Sequence, residues 1–254
     1  MEKISVGIPH YNRSKLLEEC LNNILHDDRV GEIVINDDFS PQSDFDQVEK
    51  LKERSDKIKV FRNSSNLGAY RNKLETIKNC TLDWVILLDS DNYLYKSYLD
   101  SLYSEFPWDP NVSYYADMML ANGNIEPWGR CEGCWDHGRF GNDPIGFNEV
   151  KPIHDKDYGF DGLLNAGNFV AYRKFYIERA SLIFEEEDHS LREPYGCDAI
   201  AFNYYWMKSG GKIKVLQKAE YYHRMHPGSH WTNTADLSGI YNTRILQKFK
   251  SETI

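Results

Sequence analysis

Five consecutive apolar residues, Trp84-Val85-Ile86-Leu87-Leu88, end abruptly in Asp89-Ser90-Asp91-Asn92. A short unbroken apolar run of this kind reads as a central parallel strand buried on both faces. Such a strand needs neighbours beside it and helices above and below, and the preceding residues supply both. Ile4-Ser5-Val6-Gly7-Ile8 is a β-type run. Leu16, Leu17, Cys20, Leu21, Ile24 and Leu25 then recur at helical spacing, with Ser14 as the expected N-cap. Strand character returns at residues 32–35 and 58–61. Phe45, Val48 and Leu51 mark one intervening helix; Asn66-Leu67-Gly68 opens another that carries Tyr70, Leu74 and Ile77. Strand–helix alternation means a mainly parallel, Rossmann-like sheet with right-handed crossovers and flanking helices. An α/β fold is therefore predicted, with a nucleotide-binding half over residues 1–105 and the rest of the same domain over 106–254.

Residues 107–162 break the pattern. Pro107, Pro110, Pro127, Pro144 and Pro152 punctuate them, with Trp108, Trp128 and Trp135 between. This stretch is expected to be irregular, either ligand-facing or a lid. A strand at 169–172, a helix at 198–208 and a strand at 213–216 follow, then a polar loop holding three histidines. With 254 residues, 41% hydrophobic and 27% charged, the chain has the make-up of a folded domain with a sizeable core. Its net charge of −9 disfavours nucleic acid as a partner. No apolar run approaches the roughly 20 residues of a transmembrane helix, and no signal-peptide core precedes the first strand. Five cysteines at irregular spacing point to thiols in a reducing compartment, so a cytoplasmic location is expected.

In an open parallel sheet, ligands sit beyond the carboxyl ends of the strands. Pro9 to Arg13, Asp37-Asp38, Asn63 to Asn66 and Asp89 to Asn92 all follow strands and so share one edge. Asp89-Ser90-Asp91 reads equally as a helix-capping turn or as a carboxylate pair for one divalent ion beside substrate phosphates. Asp37-Asp38 is a turn or a carboxylate for the N–H of a flat heterocycle. In Tyr222-His223-Arg224-Met225-His226-Pro227-Gly228-Ser229-His230, one imidazole could complete a carboxylate site, although solvent-exposed loop histidines are the simpler reading. Cys131 and Cys134 with His137 make only half a zinc site. Glu185 to Asp188 reads as a solvated acidic face or loop.

Six segments, in order, resemble the family 2 glycosyltransferases of GT-A fold. V-G-I-P-H-Y-N-R (6–13) is similar to that family's first strand and donor loop. E-I-V-I-N-D-D-F-S (32–40) is similar to its V-D-D-G-S, with Phe39 in place of the usual glycine. N-L-G-A-Y-R-N (66–72) resembles N-x-G-x-x-x-A-R-N, and L-L-D-S-D-N (87–92) its D-x-D strand. G-C-D-A-I-A-F (196–202) resembles E-D-x-x-L, and Y-H-R-M-H-P-G-S (222–229) the Y-R-x-H-x-G-S element.

The resemblance implies a nucleotide-diphosphate-sugar donor, usually a UDP-sugar, a glycan or glycoconjugate acceptor, and inversion at the anomeric carbon. It implies that Pro9, Tyr11, Asn12 and Arg13 line the donor, together with Asn66, Gly68 and Ser90. It also implies that Asp38 reads the uracil edge and that Arg71 stands near the base or phosphates. Asp89 holds ribose or metal, while Asp91 and His226 hold Mn2+ or Mg2+. Asp198 takes the position of the family's base, and the glutamate that usually precedes it is Cys197, with Glu193 and Asp188 as possible substitutes. Arg224 adds charge toward the diphosphate. Trp128, Trp135, Asp161 and Asn168 are candidates for sugar or acceptor contacts. The rival readings are a retaining GT-A enzyme, a sugar-1-phosphate nucleotidyltransferase without its Gly-rich basic loop, and a non-catalytic glycan- or nucleotide-binding module.

Overall fold

In the computed structural model, residues 1–122, 135–186, 195–224, 226, 228–229 and 233–252 are described. The chain builds β1 (Ile4–His10), α1 (Ser14–Asn22), β2 (Val30–Asp37), α2 (Gln42–Lys50), β3 (Ile58–Arg62), α3 (Ala69–Asn79), β4 (Trp84–Leu87), β5 (Tyr93–Leu94) and α4 (Lys96–Ser104). There follow β6 (Val112–Asn122), β7 (Trp135–Asp136), α5 (Phe147–His154), α6 (Phe160–Leu164), β8 (Phe169–Tyr172), α7 (Arg173–Ser181), α8 (Asp198–Lys208), β9 (Lys212–Arg224) and α9 (Ala235–Ser251). The strands join one sheet in the order β3-β2-β1-β4-β8-β6-β9-β5, with β7 beside β6.

β3, β2, β1 and β4 run parallel, whereas β8 is antiparallel to both β4 and β6. β4 behaves as its composition requires. Val85 and Leu87 face one apolar core, with Tyr70, Leu74 and Ile77 of α3, residues of α7 and α8, and Ile245 and Phe249 of α9. Trp84, Ile86 and Leu88 face the other, with Leu17 and Leu21 of α1, Val48 of α2 and Tyr98 and Leu102 of α4. Each such side chain, fully buried, contributes about 1.5–3 kcal/mol, so this strand and its terminal turn are firmly anchored.

Two sequence expectations need correction. The stretch at 107–162 contains β6, an 11-residue strand in the middle of the sheet, the helix α5 and the start of α6. Pro152, read as punctuation, lies inside α5. The strand expected at 213–216 is far longer: β9 runs to Arg224, so Tyr222, His223 and Arg224 are strand residues. It pairs with β6 through a register shift after Ala116, where Lys218 takes a left-handed φ of 66° and donates its N–H to Asp117 Oδ2 at 2.8 Å. Such a bulge bends the strand. Beyond it, Tyr222 pairs with Tyr93 in β5, two residues past Asp91.

Candidate active site

The turn after β4 is held from two sides. Asp89 N–H donates to Asn168 Oδ1 at 2.8 Å, and Asn92 N–H closes the turn on Asp89 O at 3.0 Å. A Cβ on Gly167 would stand 2.7 Å from Asp89 Oδ2, so a larger residue there would push the carboxylate aside. Asp89 Oδ1 pairs with Lys73 Nζ at 2.9 Å, and the same ammonium pairs with Asp198 Oδ2. Lys73 comes from α3 and is buried; Asp198 is the first residue of α8. One cation therefore joins a carboxylate of the parallel half to a carboxylate 109 positions later in the chain.

Asp91 is buried and has its own partners. Its Oδ2 meets the Arg13 guanidinium and lies 3.0 Å from His226 Nε2. Burial pushes the Asp91 carboxyl up, but the His226 hydrogen bond and Arg13 outweigh it and hold the group below the usual carboxylate range. Asp89 goes the other way: burial and the charges of Asp91 and Asp198 outweigh Lys73 and raise it. Burial likewise works against the charge of Lys73, yet Asp198 and Asp89 keep its ammonium above the ordinary lysine value.

The donor atoms of Asp91 and His226 suit a divalent ion. An imidazole nitrogen and a carboxylate oxygen are ligands such an ion takes, and here the two stand at hydrogen-bond distance from each other, with Arg13 on the same oxygen. In this arrangement Nε2 donates to the carboxylate and would shed that proton to bind an ion. Arg224 does not turn toward them: its guanidinium pairs with Glu19 on α1 at 2.5 Å, while its N–H donates to Asn92 Oδ1 at 2.9 Å.

Beside this group lies a polar floor under the ends of β1, β2 and β3. Asp38 is buried; its Oδ1 accepts from Leu67 N–H and Asn63 Nδ2, both at 2.8 Å, and its Oδ2 from Gly68 N–H at 3.0 Å. Burial still raises its pKa. Gly68 has φ 81°, which explains the glycine at the mouth of α3, and the exposed Asn66 accepts a hydrogen bond from its N–H at 3.2 Å. Asn72 Oδ1 accepts from Asn36 at 2.8 Å and Asn63 at 3.0 Å, tying α3 to the strand ends. Tyr11 stands at the rim, 45% exposed. Pro9 continues β1, and Asn12, with a left-handed φ of 50°, donates its N–H to Ser40 Oγ at 2.8 Å. Phe39 also has a left-handed φ, 63°, the conformation that favours glycine at this turn.

The sequence matches the family described as Glycosyl transferase family 2 over residues 5–177. This chain belongs to glycosyl transferase family 2. Among its relatives, a Campylobacter jejuni GalNAc(5)-diNAcBac-PP-undecaprenol beta-1,3-glucosyltransferase is 33% identical over 104 residues, 40% of this chain and 34% of the relative. The Streptococcus pneumoniae glycosyltransferase GlyG is 23% identical over 93% of this chain and 75% of its own length. This chain thus spans about a third of the Campylobacter relative. Among solved structures, S. aureus TarS 1-349 in complex with UDP-GlcNAc superposes with a TM-score of 0.63 at 18% identity, covering 98% of this chain and 71% of that one. GalNAc-T7 with UDP, GalNAc and Mn2+ gives 0.59 at 16%, covering 98% and 50%. At those identities the likeness is one of fold, and it is the expected GT-A type.

Within this family 2 chain, the residues expected from the motifs are only partly gathered. Asp89, Ser90, Asp91, Arg13, His226 and Asp198 converge, with Ser90 buried in the turn. Arg71 does not join them: it lies on the outer side of α3, its guanidinium 4.4 Å from the Phe184 ring centroid. Cys197 is buried with its thiol on Ser238 O at 2.9 Å, in a pocket against α9 that suits no carboxylate. The capping role expected of Ser14 is reversed, since Asp44 Oδ1 accepts the Ser14 N–H at 3.0 Å. Asp161 pairs with His154 at 2.7 Å, and His137 is buried with Nδ1 3.1 Å from Ala116 O. Glu193, Asp188, Trp128, Cys131, Cys134, His230 and the Trp135 side chain lie outside the described residues. Sequence reasoning overlooked Lys73. Its signal was there: a lysine on the buried stripe of α3, three residues after Tyr70 and four before Ile77.

Proposed function

We propose that this chain is a metal-dependent inverting glycosyltransferase that moves a sugar from a UDP-sugar to a hydroxyl of a glycan or glycoconjugate. The single observation that carries the reading is the convergence of Asp91 with His226 and of Asp89 with Asp198 at the carboxyl edge of the parallel strands. Residues 1–105 bind the donor: Tyr11, Asn12 and Pro9 border the nucleoside, with Asp38, Asn66 and Gly68 beneath it. Residues 106–254 supply the base and the acceptor side. Neighbours of this fold bound to UDP and UDP-GlcNAc support a UDP-sugar.

Asp91 and His226 would hold Mn2+ or Mg2+, which when bound supplies positive charge against the departing diphosphate. Arg13, already beside Asp91, adds a second positive group. An acceptor hydroxyl is too weak an acid to ionise alone, so Asp198 takes its proton as oxygen attacks C1. The C1–O bond to the β-phosphate breaks, its electron pair leaves with UDP, and the configuration at C1 inverts.

The test is thermal stability against a panel of nucleotides and UDP-sugars with and without Mn2+, repeated on Asp91→Ala. A ligand bound only by the native state raises the melting temperature by mass action. A Mn2+-dependent shift with UDP that Asp91→Ala abolishes is expected, followed by UDP release and a product of inverted anomeric configuration. A flat response to every nucleotide from folded protein would turn the assignment to a non-catalytic glycan-binding module. A product of retained configuration would overturn the inverting mechanism.

A further inference from the structure

Lys73 deserves a role of its own, because a buried lysine inside an apolar helix face is costly unless its partners need it. It sits between Tyr70, Leu74 and Ile77 on the stripe of α3 that packs under the sheet. Its ammonium contacts Asp89 at 2.9 Å and also reaches Asp198. Asp198 arrives from α8, in the half of the chain that does not contribute β1 to β4. The Asp89 backbone is held by Asn168, whose Oδ1 accepts the Asp89 N–H, so Lys73 pairs with an anchored carboxylate.

Resting on the proposed reaction, we infer that Lys73 is the positioning residue for the base. It clamps Asp198 Oδ2 to the Asp89 turn, so that Oδ1 is presented to the acceptor hydroxyl at a set distance from the donor. It also keeps two carboxylates of like charge from parting, which they would otherwise do by repulsion. The clamp acts on the orientation of the base and leaves nucleotide binding to the other residues of the edge. A misplaced base costs rate far more than affinity.

The experiment uses the UDP-sugar that shifts wild-type melting most, with water or a glycan as acceptor, and reads UDP release. Lys73→Met keeps the length and removes the charge; Lys73→Gln is carried in parallel, so that one variant is measured if the other does not fold. The expected result is a kcat lower by about 100-fold, with UDP affinity, read from the Mn2+-dependent melting shift, unchanged within about threefold. In an Asp198→Asn background the same substitution is expected to lower the residual rate by less than about threefold, since residues acting as one unit are not additive. Rates within about threefold of wild type would overturn the inference. So would a full further loss in the Asp198→Asn background, or a parallel loss of UDP affinity, which would make Lys73 a donor ligand. A wild-type chain that binds UDP-sugars yet never releases UDP would instead remove the proposed reaction, a distinct outcome.

Discussion

Two groups of acidic side chains stand at the same edge of the sheet, and they solve the problem of crowded charge in opposite ways. In the first, the donor atoms of His10, Asp37 and Asp44 lie within 4.8 Å of one another, close enough to suggest a metal site. Yet folding itself supplies their partners. Asp44 accepts from His10 Nε2 at 2.8 Å and from Ser14 N–H at 3.0 Å. Asp37 accepts from Ser40 N–H at 3.0 Å and from the Ser40 hydroxyl, with Arg62 Nε 3.3 Å away. Burial keeps His10 below its ordinary pKa despite both carboxylates. Backbone donors and a neighbouring guanidinium leave no need for an ion, and we assign this group to stability. In the second group, the carboxylates of Asp89, Asp91 and Asp198 are paired with the side chains of Lys73, Arg13 and His226, drawn from three distant segments. Proximity of carboxylates is thus a poor guide by itself; the two groups differ in whether their partners come from nearby or from distant parts of the chain.

That contrast can be broken by experiment, and the largest effect is expected in the second group. Asp198→Asn should slow UDP release from a UDP-sugar by about 1000-fold, roughly 4 kcal/mol of barrier, and, because Lys73 keeps Asp89 as its partner, should lower the denaturant midpoint less than Asp37→Asn does. If it instead unfolds the protein, the two groups do not differ in kind. Asp37→Asn should do the reverse. Removing one partner of a buried pair costs about 3 kcal/mol, so chemical denaturation should show a large loss of stability while the Mn2+-dependent response to UDP survives.

A smaller effect is expected at Glu32, a third carboxylate compensated locally: its Oε1 accepts from Ser5 Oγ at 2.6 Å and Thr81 N–H at 2.5 Å, and its Oε2 from Lys59 at 2.5 Å. Burial opposes its charge, but these donors prevail and bring the carboxyl down from 4.5 to about 2. Because the folded value is the lower one, this contribution is fully present above pH 4.5 and disappears as pH falls toward 2. Allowing for the partly exposed Lys59, it amounts to about 2 kcal/mol. Glu32→Gln should flatten the acid limb of a stability–pH curve by that much; an unchanged limb would remove Glu32 from the internally compensated class.

Much of the first half was legible because its patterns are local. β1 to β4 and the helices between them follow from runs of apolar residues at period 2 or 3.6, and Leu88-Asp89 marks where burial ends. The second half was harder. β6 carries Tyr114, Tyr115, Ala116 and Asp117 with no clean alternation, because it is covered on both sides and bulged opposite Lys218. Pro152 in α5 disguised a helix as a loop. Tyr222 to Arg224 looked like a polar loop because their strand pairing with β5 and β6 is non-local. In α3 the motif drew attention to Arg71, while helical geometry turns Arg71 outward onto Phe184 and Lys73 inward to the acids.

By itself the sequence determined the alternation of strands and helices, the edge at which polar residues collect, and the family to which the chain belongs, since each rests on residues near one another in the chain. Only the tertiary structure decided which acids meet which cations. Asp91 meets His226 because a bulged β9 carries the chain back beside β5, and Asp198 meets Asp89 because α8 docks where Lys73 emerges from α3. Both meetings are set by packing between elements more than 100 positions apart, and no local periodicity encodes a contact of that range.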